Sequence, residues 1–100
     1  AIGKAIREEP FTRRGILICG SGVGMDIVAN KFKGVRSALA CNSDQAYLSR
    51  KDNDANVLCL AADFLDEETA SKIVKTWLAT PFSGENRFRR RLQKIGDLES

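Results

Sequence analysis

Three short runs of mainly apolar residues divide the chain. They are Gly15 to Cys19, Val35 to Cys41 and Val57 to Ala61. A nearly continuous apolar run of this length, bounded by turn residues, is typical of a strand that is buried on both faces. The pattern therefore predicts three buried strands.

The segments between these runs have apolar residues at helical spacing, together with capping residues and helix stops. The predicted helices run from Met25 to Phe32, from Ser43 or Asp44 to Arg50 or Lys51, from a cap at Asp66 to about Leu78, and from about Glu85 to Ile95, with a further helical segment, Ala1 to Glu9, before Pro10. Strands separated by helices imply right-handed crossovers and a parallel sheet covered by helices on both faces. We therefore predict a single α/β domain over residues 1–100. Because the chain begins without methionine, we expect it to be the C-terminal portion of a longer one.

Composition narrows the class of protein. A net charge of +3, from 16 basic and 13 acidic residues, suits a small anionic ligand better than a nucleic-acid duplex. The sequence contains no histidine, which excludes a Ser-His-Asp triad and a Cys-His dyad. Its three cysteines lack CxxC spacing, so neither a disulfide framework nor a zinc site is indicated. Without an apolar run near the ~20 residues of a membrane helix, or a signal peptide, we expect a cytoplasmic protein with no membrane partner.

The first predicted strand leads into a glycine loop in which Gly20, Gly22 and Gly24 alternate with other residues. Such a loop can turn sharply and direct backbone N–H groups at a phosphate or a developing oxyanion. Neither nucleotide-binding motif is met, since GxGxxG would need its third glycine at Met25. The pattern leaves two interpretations open, an anion-binding or catalytic loop and a merely tight turn.

Cys19 stands directly before this loop, where a thiol can act as a nucleophile or accept a proton. Its position fits the buried core of a strand nearly as well, because free cysteine is often buried. Ser21 could bind a substrate oxygen, although serine is also an ordinary turn residue. We expect Cys41 and Cys59 to be small apolar residues in strands.

A basic run near the end of the chain offers a second candidate site. Arg87 and Arg91 are four residues apart, so they share one face of the last helix and could clamp a phosphate. A solvated charged face is the commoner meaning of such a run. Phe88 alone gives little support for stacking on nucleic-acid bases, and we expect no nucleic-acid partner.

Three blocks of the sequence resemble consecutive blocks of the family of ribose-5-phosphate isomerase B and galactose-6-phosphate isomerase. The blocks are GILICGSGVGMDIVANKFKGVRSALA, AYLSRKDNDANVLCLA and NRFRRRLQKI, within roughly Phe11 to Ile95. The CGSGVG block is far more specific than a lone glycine pattern. The resemblance implies a Rossmann-like three-layer sandwich. It also implies a cofactor-independent aldose–ketose isomerase of a sugar phosphate, acting in carbohydrate metabolism such as the pentose phosphate pathway.

The resemblance also assigns roles to residues. The family's base, which moves a proton between C1 and C2 through an enediolate, matches Cys19, and Ser21 matches a hydroxyl residue at the same oxygen. The substrate-binding residues that match are Gly20, Gly22, Gly24, Asn53, Arg87 and Arg91. In the family these arginines reach into the neighbouring subunit's site, which implies a homodimer or homotetramer with shared active sites. No metal site is implied.

Two departures from the family pattern concern ring opening and the sheet. The histidine that commonly precedes Asn53 and opens the furanose ring is Asp52 here, and the family's opening strand, with an Asp-His pair, would precede Ala1. Asp52 could serve as the acid or base if it is held away from water. Alternatively, the substrate could be a tetrose 4-phosphate, which cannot close a furanose. A third alternative is a sugar-phosphate-binding module that has lost its chemistry.

Overall fold

The computed structural model describes residues 13–99. Its elements are β1 (Gly15–Cys19), α1 (Val23–Ala29), β2 (Ser37–Leu39), α2 (Ser43–Lys51), β3 (Val57–Ala61), α3 (Glu67–Ala79) and α4 (Asn86–Asp97). The predicted helix from Ala1 to Glu9 lies outside the described residues. The first and third strands have the predicted bounds, and the four later helices all form.

The three strands make a parallel sheet in the order β1-β3-β2. The register pairs Gly15 with Val57 and Cys19 with Ala61, so β1 and β3 end at the same edge. Every residue of β3 is buried, as its continuous apolar sequence predicted. Within residues 13–99, β1 has a partner strand on one side only.

Helices cover both faces of the sheet, which confirms the predicted fold class. On one face, Leu58 and Leu60 of β3 pack with Ile73 and Trp77 of α3 and with Ala46 of α2. On the other face, Val57 and Cys59 pack with Ala29 of α1, Val35 and the half-buried Leu39. Because β3 contributes to both clusters, it is the centre of the core.

The second strand is shorter than the predicted Val35 to Cys41. Backbone N–H groups at both ends of that range donate to side chains instead of to a neighbouring strand. Arg36 N–H donates to Asn56 Oδ1 at 2.7 Å, and Cys41 N–H donates to Gln45 Oε1 at 2.7 Å. Cys41 is therefore exposed beyond the strand end, so the expectation of an apolar strand position was wrong for Cys41 and right for buried Cys59.

The first helix begins and ends earlier than the predicted Met25 to Phe32. Gly22 is the N-cap residue, with a φ of +78°, and the helix begins at the next residue, Val23. The amide of Asn30 ends the helix, because its Nδ2 donates both to Asp26 O and to Ser37 O, each at 3.1 Å. The helix thus stops where Asn30 ties it to β2.

Candidate functional site

The glycine loop lies at the carboxyl edge of the sheet, directly after β1. Gly22 N–H donates to Cys19 Sγ at 3.1 Å, so the turn places the sulfur at the start of α1. Gly22 is in the left-handed region, and a Cβ there would lie 2.4 Å from Leu39 Cδ1. This position therefore requires glycine for both its backbone conformation and its space.

The other glycines of the loop differ from Gly22 in their surroundings. A Cβ at Gly20 would lie 2.8 Å from Asp63 Oδ2, whereas a Cβ at Gly24 would meet nothing within 4 Å. Ser21 is exposed, and its Oγ accepts an N–H bond from Val23 at 3.3 Å. The loop is a tight turn at Gly22 and open at its far end.

Asp63 was missed by the sequence analysis. The backbone after β3 is bonded to the backbone after β1, because Ala62 N–H donates to Cys19 O at 2.8 Å and Asp63 N–H to Gly20 O at 3.0 Å. These bonds place the Asp63 carboxylate beside the glycine loop. Its position in the sequence, just after a buried strand, could have indicated this placement, because parallel strands all end at the same edge of a sheet.

A partly buried chain of hydrogen-bonded side chains lies on the α1 side of the sheet. Ser37 Oγ donates to Asp26 Oδ1 at 2.7 Å and lies 3.2 Å from Cys59 Sγ. Burial raises the pKa of the Cys59 thiol, the hydrogen bond between this thiol and Ser37 opposes the rise, and the Asp26 carboxylate adds to it. Cys59 is therefore suited to packing and not to nucleophilic chemistry at neutral pH.

Asp52 and Asn53 lie at the opposite, amino edge of the sheet, in the turn between α2 and β3. Asp52 is the C-cap of α2, and Asn53 is exposed. Asp52 Oδ1 lies 3.7 Å from Lys51 Nζ, yet this buried oxygen accepts no hydrogen bond. The position where the family commonly has histidine thus holds a carboxylate oxygen with unused acceptor capacity.

The two candidate phosphate-binding arginines flank one aromatic ring of α4. The Cζ atoms of Arg87 and Arg91 lie 4.5 and 5.2 Å from the centroid of Phe88, as their spacing predicted for a shared face. Ser83 N–H donates to Lys51 O at 3.0 Å, which places the segment before α4 next to the turn of Asp52. Near the other end of the helix, Gly34 N–H donates to a carboxylate oxygen of Glu99 at 2.9 Å.

A cleft of about 520 Å³ lies between α4 and the amino edge of the sheet. Its lining includes Asn53, Ser49, Arg36, Leu92 and Glu99. The arginine helix and the turn of Asp52 and Asn53 thus belong to the same end of the molecule.

The candidate residues therefore form two groups rather than one. The carboxyl-edge group consists of Cys19, Ser21, the loop glycines and Asp63, and the amino-edge group consists of Asp52, Asn53, Arg87 and Arg91. The five residues of β3 separate the two edges of the sheet by about 13 Å. One copy of the chain does not bring the two groups together.

The described part of the chain offers neither a metal centre nor a membrane span. No group of three or more Cys, Asp or Glu side chains in residues 13–99 is arranged to hold a metal ion. In the same range, no helix is long and apolar enough to cross a membrane.

The model of the Ribose/Galactose Isomerase family matches residues 1–95. Among curated relatives, a putative sugar phosphate isomerase of Bacillus subtilis is 46% identical over 86 residues, which cover 86% of this chain and 57% of that protein. The D-erythrulose-4-phosphate isomerase of Pectobacterium atrosepticum is 41% identical over 87 residues, which cover 87% of this chain and 57% of that protein. The chain thus spans less than two thirds of the length of these relatives.

Solved structures show the same fold. The ribose-5-phosphate isomerase B of Mycoplasma genitalium with bound ribulose 5-phosphate is 40% identical, with a TM-score of 0.93 over 97% of this chain and 63% of that one. The type B enzyme of Trypanosoma cruzi is 42% identical, also with a TM-score of 0.93, over 97% of this chain and 64% of that one. The Rossmann-like fold expected from the resemblance is confirmed.

Proposed function

The chain belongs to the Ribose/Galactose Isomerase family, and from this premise we propose that it forms part of a cytoplasmic aldose–ketose isomerase of a phosphorylated sugar. The observation that carries the proposal is the position of Cys19 Sγ between the end of β1 and the start of α1, where it accepts a hydrogen bond from Gly22 N–H at 3.1 Å. A carbon acid next to a carbonyl requires a fixed base and hydrogen-bond donors for the oxyanion. This loop supplies the thiol, an exposed serine hydroxyl and backbone N–H groups.

In the proposed reaction, Cys19 in its thiolate form takes the proton from C2 of the aldose. The electron pair of the broken C–H bond forms the enediolate, whose negative oxygen accepts hydrogen bonds from Ser21 and the loop. A proton is transferred from the hydroxyl oxygen on C2 to the oxygen on C1, and the thiol returns its proton to C1, which gives the ketose and restores the thiolate. The step is balanced without an external oxidant or reductant.

We further propose that the complete site is shared between two copies of the chain, in a homodimer or a homotetramer. The separation of the two residue groups by the length of β3 supports this arrangement, since Arg87 and Arg91 lie at the edge remote from Cys19. A second copy could present its amino-edge group to the first copy's glycine loop. In that arrangement the two guanidiniums bind the phosphate and Asn53 contacts the sugar.

Mixing two inactive variants of the full-length protein tests the shared site. We expect Cys19→Ala and the double variant Arg87→Ala/Arg91→Ala each to lack activity. Coexpressed at equal levels, they should regain about a quarter of wild-type activity, because half of the two-fold symmetric pairs are mixed and each holds one intact site. Arg90→Ala, an exposed arginine of the same helix, is the matched control and should stay active alone. A mixture as inactive as its parents would contradict the shared site.

The substrate that the site can use depends on whether Asp52 can open a furanose ring. A tetrose 4-phosphate has its 4-hydroxyl blocked, so it needs no ring opening and no histidine before Asn53. We propose a tetrose phosphate as substrate, supported by the similarity to the relative named D-erythrulose-4-phosphate isomerase. The alternative is a ring-opening role for Asp52, whose buried Oδ1 has free acceptor capacity.

Assays of the full-length protein with ribose 5-phosphate and erythrulose 4-phosphate separate these alternatives. Turnover of the tetrose phosphate that survives Asp52→Ala supports the first. Turnover of ribose 5-phosphate that Asp52→Ala abolishes supports the second. Tight binding of both sugars without turnover would contradict the isomerase and favour a binding module.

A further inference from the structure

Asp54, which directly follows Asp52 and Asn53, has a φ of +47°. Among the described residues it is the one position other than glycine with a positive φ. Left-handed backbone costs a residue with a Cβ free energy, and aspartate is among the few that adopt it routinely. Surrounding contacts must therefore hold this conformation.

Two arginines supply those contacts. Arg50 Nη1 donates to Asp54 Oδ1 at 2.8 Å, and Arg36 Nη2 lies 3.5 Å from Asp54 Oδ2. Arg36 Nε donates to Asp54 O at 2.9 Å, and Asp54 N–H donates to Arg50 O at 3.1 Å. The side chain and both backbone polar groups of Asp54 are thus bonded to these two residues.

The guanidinium of Arg50 is itself part of the core. Arg50 is 4% exposed, and it also donates to Ala55 O at 2.7 Å and to Thr80 O at 3.0 Å. Its Cζ lies 5.9 Å from the centroid of the buried Trp77 ring. Because a buried charge is tolerated only when it is paired, Asp54 and Arg50 stabilise one another.

These contacts connect both ends of the turn to fixed elements. Arg50 lies in α2, which precedes the turn, and Arg36 leads into β2, the neighbour of β3. Ala55 N–H also donates to Ser49 O at 2.9 Å, at the point where the turn enters β3. Asp52 and Asn53 are therefore attached to a backbone that cannot move independently of the sheet.

We propose that Asp54 is a positioning residue that holds the turn carrying Asp52 and Asn53 in the orientation used by the isomerase. This inference rests on the proposed function. Asp54 acts through Asn53, the exposed side chain of the turn, and does not itself contact substrate. Its carboxylate sets the turn by pairing with Arg50 and Arg36.

The test is Asp54→Asn in the full-length protein, because asparagine tolerates the left-handed conformation and removes only the charge. We expect kcat/KM to fall by about 10²-fold, chiefly through KM, as a misplaced binding group does. Hydrogen exchange of the Asp54 and Ala55 amides should speed up. Ile73→Ala, a core truncation in α3, is the matched control: it lowers stability and should leave kcat/KM unchanged at temperatures where the protein is folded, and any faster exchange should extend over the whole core instead of being confined to the turn.

A double-mutant cycle with Asn53→Ala separates positioning from general destabilisation. If Asp54 acts through Asn53, Asp54→Asn should change kcat/KM by less than about threefold in the Asn53→Ala background. A full and additive loss in that background would overturn the proposal. Should Asp54→Asn not fold, Arg36→Lys keeps the charge, removes the Nε–H bond to Asp54 O and should show a smaller loss with the same dependence on Asn53.

Amide exchange distinguishes failure of this proposal from failure of the proposed function. A wild-type protein without isomerase activity would contradict the function, and exchange at the turn would still report whether Asp54 holds it. Unchanged exchange in a folded Asp54→Asn protein would overturn the positioning role whatever the activity.

Discussion

Gly22→Ala is the substitution whose effect can be worked out most directly from the structure. Gly22 has a φ of +78°, and a Cβ built on it would lie 2.4 Å from Leu39 Cδ1. The next nearest atoms, Ala61 N and Cα, would lie at the ordinary contact distances of 3.4 and 3.5 Å. The substitution therefore meets two separate penalties, one in the backbone and one in packing against Leu39.

The two penalties can be given magnitudes. Left-handed backbone costs an alanine about 1–2 kcal/mol. Moving Leu39, which packs against the cluster of Val35, Val57 and Cys59, adds an overpacking cost of about 1–3 kcal/mol. Together, the two penalties should lower the free energy of unfolding of Gly22→Ala by about 2–5 kcal/mol. This loss is a large fraction of the roughly 5–15 kcal/mol by which an ordinary domain is stable.

Gly24→Ala is the matched control, two residues along the same loop. Gly24 lies in α1 and a Cβ there meets nothing within 4 Å, so alanine should be neutral or stabilise by up to about 1 kcal/mol. Urea denaturation of the full-length variants, followed by far-UV circular dichroism, measures both values. Equal stabilities of the two variants would refute the argument from φ and packing.

Two further predictions concern thiols and acid. Cys41 is exposed, whereas Cys59 is buried with a raised pKa, so iodoacetamide at neutral pH should label Cys41 first and Cys59 only after unfolding; peptide mass mapping checks this, and equal labelling rates would contradict it. Hydrogen bonds from Thr69 hold the pKa of the exposed Asp66 cap below its usual value. A lowered folded-state pKa gives stability that is present above the unfolded value of about 3.9 and is lost as the pH falls through the folded value. Asparagine also caps a helix but does not titrate. As the pH falls below about 4, the stability of Asp66→Asn should therefore decrease less than that of the wild type, which thermal melts at a series of pH values measure. Identical decreases would show that titration of the cap contributes nothing to stability.

The sequence alone was sufficient where local pattern and burial agree. Val57 to Ala61 is apolar at every position and is buried at every position in β3, so its bounds were readable. Asp66 followed by two acidic residues marked the start of α3 correctly, because a cap is chemistry within one turn of helix. The CGSGVG block identified the family, which the family model confirms.

Hydrogen bonds to side chains of other segments determine where β2 and α1 begin and end, and the apolar pattern did not predict these ends correctly. Asn56 accepts the backbone N–H of Arg36, so β2 begins later than its apolar pattern suggested. Asn30 accepts the backbone N–H of Ser37, and α1 ends at this asparagine, earlier than its pattern suggested. Asp63 and Asp54 escaped notice for the same reason. Gly20, beside Asp63, and Arg36, one of the two arginines that bind Asp54, are far from these aspartates in sequence.

The tertiary structure alone decided how the candidate residues are distributed. Cys19 and Asn53 belong to motifs of one family, and the order of strands and helices along the chain does not show which strands are neighbours or in what register they pair. The parallel register of β1 on β3 places Cys19 at the carboxyl edge, whereas the turn from α2 into β3 places Asn53 at the amino edge. Position at an edge depends on strand direction and pairing between distant segments, which only the folded chain defines.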